Sequence, residues 1–388
     1  LKNPLIWAEI DLKAIAHNVS QLRNICNPKA KLMAVVKADG YGHGAENVAR
    51  ASLSAGAESL GVARIDEAIA LRKAAVDAPI QVLGYTPVSM AENLLQYNLT
   101  QSVFSSQCAS ALSQIGVALG KKIKIHIKVD TGMGRLGLLT DRGQISCADF
   151  NMTQSSLEQI KSIVGLRGIV PEGIMTHFAM ADSADKTSTG KQFAIFTDFI
   201  DRLSKNGIGF QVHHAANSAA VMEHPETHLD LVRPGISIYG LYASDEVDKS
   251  KADLIPAMAF KARVIQVKRV PAQFCISYGH TYRTRKSTTI ATVSAGYADG
   301  FNRLLSSCGY MLVHGKRAPV TGRVCMDLTM LDVGHIPQVM VGDEVVIFGN
   351  QNGESIHVDE IARLLNTINY EVVSTISARV PRIYKHLI

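Results

Sequence analysis

At 388 residues the chain is longer than one hydrophobic core usually serves, so two domains are expected. Hydrophobic residues make up 47% and charged residues 19%, a balance that suits a globular enzyme and excludes a disordered chain. The net charge of +6 is modest for this length, and the densest basic groups, Lys268-Arg269 and Arg283-Thr284-Arg285-Lys286, read as solvated faces rather than a nucleic-acid surface. No apolar stretch reaches the length of a membrane span, so no membrane partner is expected either. The six cysteines (Cys26, Cys108, Cys147, Cys275, Cys308 and Cys325) form no CxxC pair, which points to reduced thiols in a cytoplasmic protein. HExxH is missing, and the adjacent His213 and His214 cannot share a helix face, so no metal site is expected. The sequence begins at Leu1 rather than Met, which leaves open what stands upstream.

In chain order, Trp7 to Asp11 reads as a short strand. Asp11 can cap a following helix that carries Leu12, Ile15, Val19 and Leu22 on one face. The apolar run Leu32 to Val36 then delivers Lys37 to its end, and a turn follows with Gly40, Tyr41, Gly42 and Gly44. A lysine there is either a solvated strand end or a desolvated amine of lowered pKa, the kind that forms a Schiff base with a carbonyl cofactor. Helices are expected at Ala45 to Gly56 and Ile65 to Ala75, with a strand at Leu60 to Ala63 between them. Strands at Ile80 to Leu83, Gln101 to Phe104 and Ile123 to Val129 follow, separated by helices at Met90 to Tyr97 and Ala109 to Leu119. Gly165 to Met175, Gln211 to His214 and Leu229 to Val232 supply later strands, with a helix at Phe193 to Leu203. Strand and helix alternate about eight times over roughly 240 residues, the rhythm of a (β/α)8 TIM-like barrel.

The rhythm then breaks. Ala243 to Lys251 is polar and reads as a linker. Beyond it come β-rich segments at Ala259 to Arg269, Thr288 to Val293, Met311 to Val313 and Glu344 to Phe348. The division expected is a barrel over 1–243 and a mainly-β domain over 244–388. Gly132-Met133-Gly134-Arg135-Leu136-Gly137 matches the dinucleotide fingerprint GxGxxG directly after a strand. It stands in the fifth βα unit rather than the first. The strand before it carries Lys124, His126 and Lys128 on one face, which a doubly wound sheet disfavours.

Reacting groups of such a barrel sit on loops after the carboxyl ends of its strands. Read in order, those ends offer Lys37 and Tyr41, Arg135, His177, Asn217 and Ser218, and then Arg233, Gly235 and Ile236. These types suit an anionic, aromatic cofactor, with Ser218 and the amides of Gly235 and Ile236 able to cradle a phosphate. Taken singly, Ser218 also reads as a helix cap and His177 as a satisfied core residue.

The stretch Ala34 to Gly44 (AVVKADGYGHG) closely resembles the pyridoxal-phosphate lysine motif of alanine racemases. So do Val129 to Gly137 (VDTGMGRLG), Thr176 to Asp182 (THFAMAD), Ala215 to Ser218 (AANS) and Arg233 to Ile236 (RPGI). The match continues through Ser277-Tyr278-Gly279, Gly296 to Gly300 (GYADG), Val324 to Asp327 (VCMD) and Ile368 to Glu371 (INYE), so the resemblance covers nearly the whole chain. It implies a racemase interconverting L- and D-alanine with pyridoxal 5'-phosphate, supplying D-alanine for peptidoglycan.

By that resemblance Lys37 holds the cofactor as a Schiff base and serves as one catalytic base. Tyr41, Ser218, Gly235, Ile236 and Tyr370 bind its phosphate, with Asn217 beside them. Arg233 faces the pyridine nitrogen, with His177 behind it, and Arg135 orients cofactor and substrate carboxylate. Tyr278 is the second base, reaching the active site of the other subunit in a head-to-tail homodimer. Tyr297, Cys325, Met326 and Asp327 line that shared, substrate-binding site. The family often carbamylates a lysine at the position of Lys128, giving an anion that can hold Arg135. One departure is Asn302, which stands where some relatives carry a basic residue. Competing readings are a broader racemase acting on lysine, arginine or serine, a non-catalytic pyridoxal-phosphate carrier, and an amino-acid decarboxylase. The carrier reading has no use for the second domain, and the decarboxylase none for a tyrosine base opposite the lysine.

Overall fold

The structure is a computed structural model that describes residues 3–140 and 155–387; Cys147 lies outside them. The chain divides into two compact units: the described residues of 14–40 and 45–255, and those of 1–13, 41–44 and 256–388.

The first strand, β1 (Ile6–Asp11), belongs by its pairing to the second unit, although it opens the sequence. The barrel unit is built on β2 (Lys31–Val35), β3 (Ser59–Val62), β4 (Ile80–Val82), β5 (Thr100–Val103) and β6 (Ile123–Asp130). It continues through the two-residue β7 (Leu138–Leu139), which pairs with β6, to β8 (Ile169–Met175), β9 (Val212–His214) and β10 (Leu231–Val232). All pairings are parallel, in the order β10-β2-β3-β4-β5-β6-β8-β9. Between β9 and β10 the ring is completed by single bonds, from the Asp230 amide to His213 O (3.1 Å) and from the Arg233 amide to Ala216 O (3.0 Å). Eight strands therefore form a nearly closed barrel, with helices between them.

The barrel strands are mostly buried on both faces because helices cover one side and the barrel interior the other. In β2, for example, only Lys31 is exposed while Leu32 to Val35 are buried. The helix Leu12–Ile25 buries its stripe as its periodicity requires, with Leu12, Ile15, Val19 and Leu22 all at 2% exposure or less. Asp11 stands at its start and accepts a bond from the Lys13 amide at 2.9 Å. The helix Thr187–Lys205 is longer than the sequence pattern suggested.

The polar stretch 243–251 is tied to the barrel unit rather than free. Ser244 Oγ donates to Asp182 O (2.9 Å), Glu246 accepts from the Ala184 amide (2.6 Å), and the Asp248 amide donates to Glu223 (2.8 Å). Val247 is buried there, so the strap has an apolar anchor that its composition hides.

The second unit is mainly antiparallel. Its strands are β1, β11 (Met258–Val270), β12 (Cys275–Ile276), β13 (Tyr282–Arg283), β14 (Thr288–Val293), β15 (Tyr310–Val313), β16 (Lys316–Pro319), β17 (Thr329–Asp332), β18 (Glu344–Gln351), β19 (Glu354–Ile356) and β20 (Arg382–Lys385). The larger sheet runs β16-β15-β18-β11-β1-β20, while β14 pairs with β11 and β17. Over Met258 to Val264 strand β11 buries every second residue, the alternation of a sheet with one face on the core. The helices Val358–Leu365 and Asn369–Ser374 complete this unit. No helix among the described residues is long and apolar enough to cross a membrane.

Candidate active site

Lys37 follows β2 directly, and the backbone after it makes a left-handed turn. Ala38 (φ 52°), Asp39 (φ 51°), Gly40 (φ 60°) and Tyr41 (φ 50°) are all in the left-handed region. Three of the four carry a Cβ, so the turn stores roughly 3–6 kcal/mol of local strain. Fixed partners hold it: the Ala38 amide donates to Glu67 Oε1 (2.6 Å), and Asp39 Oδ1 accepts from the Ala45 amide (2.9 Å). Glu67, which the sequence pattern does not single out, also takes the Ala63 and Arg64 amides at 2.8 and 3.0 Å. Gly42 (φ +80°) lies so close to the Val373 carbonyl that an added Cβ would stand 2.3 Å from its oxygen.

Inside the barrel wall, β6 presents His126 and Lys128, both buried. The glycine-rich loop after it is wrapped around Asp130. Asp130 Oδ1 accepts from the amides of Gly132 (2.9 Å), Met133 (2.9 Å) and Gly134 (3.2 Å), and Oδ2 from that of Arg135 (3.1 Å). Amides turned onto a carboxylate of their own chain cannot cradle a pyrophosphate, so the fingerprint is an anchor for Arg135.

Arg233, 4% exposed, is the hub of the site. Its Nη2 donates to Thr176 O (2.8 Å) and Ala215 O (3.0 Å) and lies 3.4 Å from His177 Nδ1. Its Nη1 meets His214 Nδ1 at 2.9 Å, and His214 Nε2 meets His126 Nδ1 at 2.8 Å. A guanidinium only donates, so the His214 proton sits on Nε2 and passes the same polarity to His126. His177 is steadied from behind by Gln192, whose side chain reaches His177 O (3.2 Å) and the Ala179 amide (2.9 Å). His126, His214 and Gln192 were not among the site residues expected from the sequence.

Electrostatically the strand ends carry an excess of positive charge. Lys37, Lys128, Arg135 and Arg233 all act on His177, which burial and these cations together hold well below the usual imidazole range. Burial, then Arg135, lowers the Lys37 amine, with Glu67 opposing. Burial, then Arg135 and Arg233, pulls Lys128 down to about 8. Burial brings Arg233 down to about 9, still high enough to remain a cation at neutral pH. Such a cluster asks for an anion.

Near it, Ser218 Oγ accepts from the amides of Gly235 (2.8 Å) and Ser237 (3.4 Å). Asn217 caps the helix Ser218–Glu223 through the Ala220 amide (3.1 Å). Gly235 opens the 3-10 turn Ile236–Tyr239, and the wholly buried Ser237 Oγ has no partner among the described residues. Two buried serine hydroxyls, Ser237 Oγ among them, make a donor pair suited to a phosphate.

The remaining predicted residues lie in the second unit. Tyr41 is buried, which raises its phenol, and its ring stands 6.1 Å from that of Tyr370. Tyr278 is 70% exposed, on a turn in which Ser277 (φ 63°), Gly279 (φ 71°) and His280 (φ 47°) are left-handed. Ser277 Oγ pins that turn to Arg323 O (2.6 Å) and lies 3.6 Å from Cys325 Sγ. Tyr278 and Cys325 line one open pocket of about 500 Å³. Tyr297 and Met326 are exposed, and Asp327 pairs with Arg379 at 2.7 Å. Asn302 caps a turn through the Leu304 amide (2.9 Å).

Residues 10–243 match the family model for the alanine racemase N-terminal domain, and residues 257–384 that for the C-terminal domain. The chain belongs to the alanine racemase family. It is 55% identical over 378 residues to an alanine racemase of Desulfosudis oleivorans, covering 97% of this chain and 96% of that one. Among solved structures it resembles alanine racemase from Clostridium difficile 630 with a TM-score of 0.91 and 38% identity, covering 99% of this chain and 97% of the other. It also resembles the Bartonella henselae alanine racemase with covalently bound pyridoxal phosphate, at a TM-score of 0.85 and 28% identity over 99% of this chain and 100% of that one. The protein is thus a pyridoxal-phosphate-dependent isomerase that interconverts L- and D-alanine. Its residues fit that cofactor: an amine of lowered pKa for the aldehyde, a cationic surround and two buried serine hydroxyls for the phosphate.

Proposed function

We propose that Lys37 and Tyr278 are the two bases of the racemisation, one for each enantiomer, and that they meet across a head-to-tail homodimer. Racemisation removes the Cα proton from one face and returns one on the other, so two bases are the direct solution. The observation that carries this reading is the cationic cluster around Lys37. Burial and Arg135 lower the amine, so it can take and release a proton nearer neutrality than a free lysine. Tyr278 is 70% exposed on a strained, pinned turn, which a packing role does not explain and donation to a second chain does.

When bound, the cofactor draws electron density from the substrate and so acidifies its Cα–H. We assign Arg233 to its ring nitrogen, because a guanidinium does not readily give up a proton and leaves that nitrogen unprotonated. Such a nitrogen weakens the electron sink and limits protonation at the wrong carbon. His177 backs Arg233. Tyr41, Asn217, Ser218, Gly235, Ile236 and Tyr370 are assigned to the phosphate end, and Arg135 to cofactor and substrate carboxylate. Tyr297, Cys325, Met326 and Asp327 are assigned to the substrate. Lys128, as a carbamate, would supply an anion to hold Arg135. In functional terms residues 1–243 form the cofactor domain and 244–388 the domain lent to the partner. The setting is cytoplasmic, with D-alanine supplied for peptidoglycan.

Mixing two inactive variants tests the shared site. Lys37→Ala and Tyr278→Phe chains, dissociated and reassociated at equal amounts, give half heterodimers with one intact site each. About a quarter of the parental activity should therefore return. Heterodimers without activity would mean that each site is self-contained.

A further inference from the structure

We infer that Arg379 is a positioning residue for alanine binding, acting through Asp327 and Asp299 on the two loops that carry Tyr297, Cys325, Met326 and Asp327. This rests on the assignment of those residues to the substrate. The loops already touch along their backbones. The Tyr297 amide donates to Cys325 O (3.0 Å) and the Ala298 amide to Met326 O (3.0 Å). Gly296 is packed so closely that a Cβ would stand 2.2 Å from Met326 O.

Arg379 joins the same two loops through side chains. Its Nε donates to Asp299 Oδ1 (2.7 Å) and its Nη2 to Asp327 Oδ1 (2.7 Å). Asp299 is buried, and its other oxygen takes the Gly296 amide at 2.9 Å. One planar guanidinium thus bridges a buried carboxylate that organises the Tyr297 turn and an exposed one on the Cys325–Asp327 loop. A lysine ammonium cannot reproduce this, since it lacks the two-edged fork.

The mount of Arg379 is itself fixed. The Ser377 amide donates to Asp299 O (3.1 Å). Arg382, three residues on, donates to the carbonyls of Ile376 (2.9 Å), Ser377 (2.7 Å) and Val380 (2.7 Å), and to Gly42 O (3.0 Å) beside the tyrosine turn. The Asp327 and Arg379 side chains are 58% and 47% exposed, so their pairing adds little to stability. What it does is remove freedom from a carboxylate that would otherwise swing in solvent.

The test is steady-state kinetics of the cofactor-loaded enzyme for Arg379→Lys, Asp327→Asn and the double variant, with thermal unfolding and cofactor absorbance read alongside. Arg379→Lys should raise KM for alanine about five- to tenfold, with kcat changed far less and cofactor absorbance as in the parent. The double variant should be no worse than Asp327→Asn alone, because the two residues act as one unit. A parental KM in Arg379→Lys beside a raised one in Asp327→Asn overturns the positioning role and leaves the substrate assignment standing. A parental KM in Asp327→Asn overturns that assignment, and the inference with it. Additive losses in the double variant also refute the role.

Discussion

The histidine pair inside the barrel wall makes acid lability a direct consequence of the fold. His214 accepts from Arg233 and donates to His126, so both rings must stay neutral in the folded protein. Burial and then the Arg233 cation hold His126 down to about 4, whereas an unfolded chain titrates a histidine near 6.5. Below pH 6.5 the unfolded chain binds a proton that the folded chain refuses. The stability from this residue is therefore complete above 6.5 and is lost as pH falls toward 4. A gap of that size corresponds to about 3 kcal/mol at pH 4 and about 2 kcal/mol between pH 7 and pH 5. The substitution His126→Gln keeps an acceptor for His214 and removes the titration. Urea unfolding of His126→Gln at pH 7 and pH 5 should thus show a fall in stability about 2 kcal/mol smaller than the parent's. His214 and His177 are shifted in the same direction, so some fall remains in the variant. Equal falls in parent and variant would mean that His126 is not held neutral in the folded protein.

Tyr278→Phe should slow proton abstraction from one alanine enantiomer far more than from the other, read as primary deuterium isotope effects in the two directions; equal effects would count against two bases. Gly42→Ala puts a Cβ 2.3 Å from Val373 O at a left-handed φ of +80°. It should lose more than about 2 kcal/mol in urea unfolding, and a near-neutral result would mean the turn is not held as described. Lys128 at about 8 is roughly one-tenth free amine at pH 7 and nine-tenths at pH 9. A carbamate signal from ¹³C-bicarbonate should therefore grow across that interval and vanish in Lys128→Arg, and a signal that survives the substitution would place the adduct elsewhere.

The barrel was legible because strand-length segments alternate with amphipathic helices, and an apolar run such as Leu32 to Val35 is buried on both faces. The role of β1 was not, since it pairs with β11 and β20, far along the chain, and nothing local announces that. Strands such as β16, β17, β19 and β20 are three or four residues long and leave no readable period. The glycines after Lys37 promised a bend, but a left-handed turn through Ala38, Asp39 and Tyr41 is imposed by Glu67 and other partners against local preference. His214 was visible only as half of an adjacent pair; it takes barrel closure to set it against His126 and Arg233. Arg379 was one of two arginines near the end of the sequence, meaningful only once Asp299 and Asp327 stand on either side of it.

In a two-base racemase a proton leaves alanine on one face and a different one arrives on the other. The most direct measurement is the deuterium content at Cα of the D-alanine first formed from L-alanine in heavy water, by proton NMR after chiral separation. Two bases put deuterium in essentially every D-alanine molecule from the first turnover. D-alanine that retains the original protium would show a single base returning its own proton, and would contradict the two-base assignment.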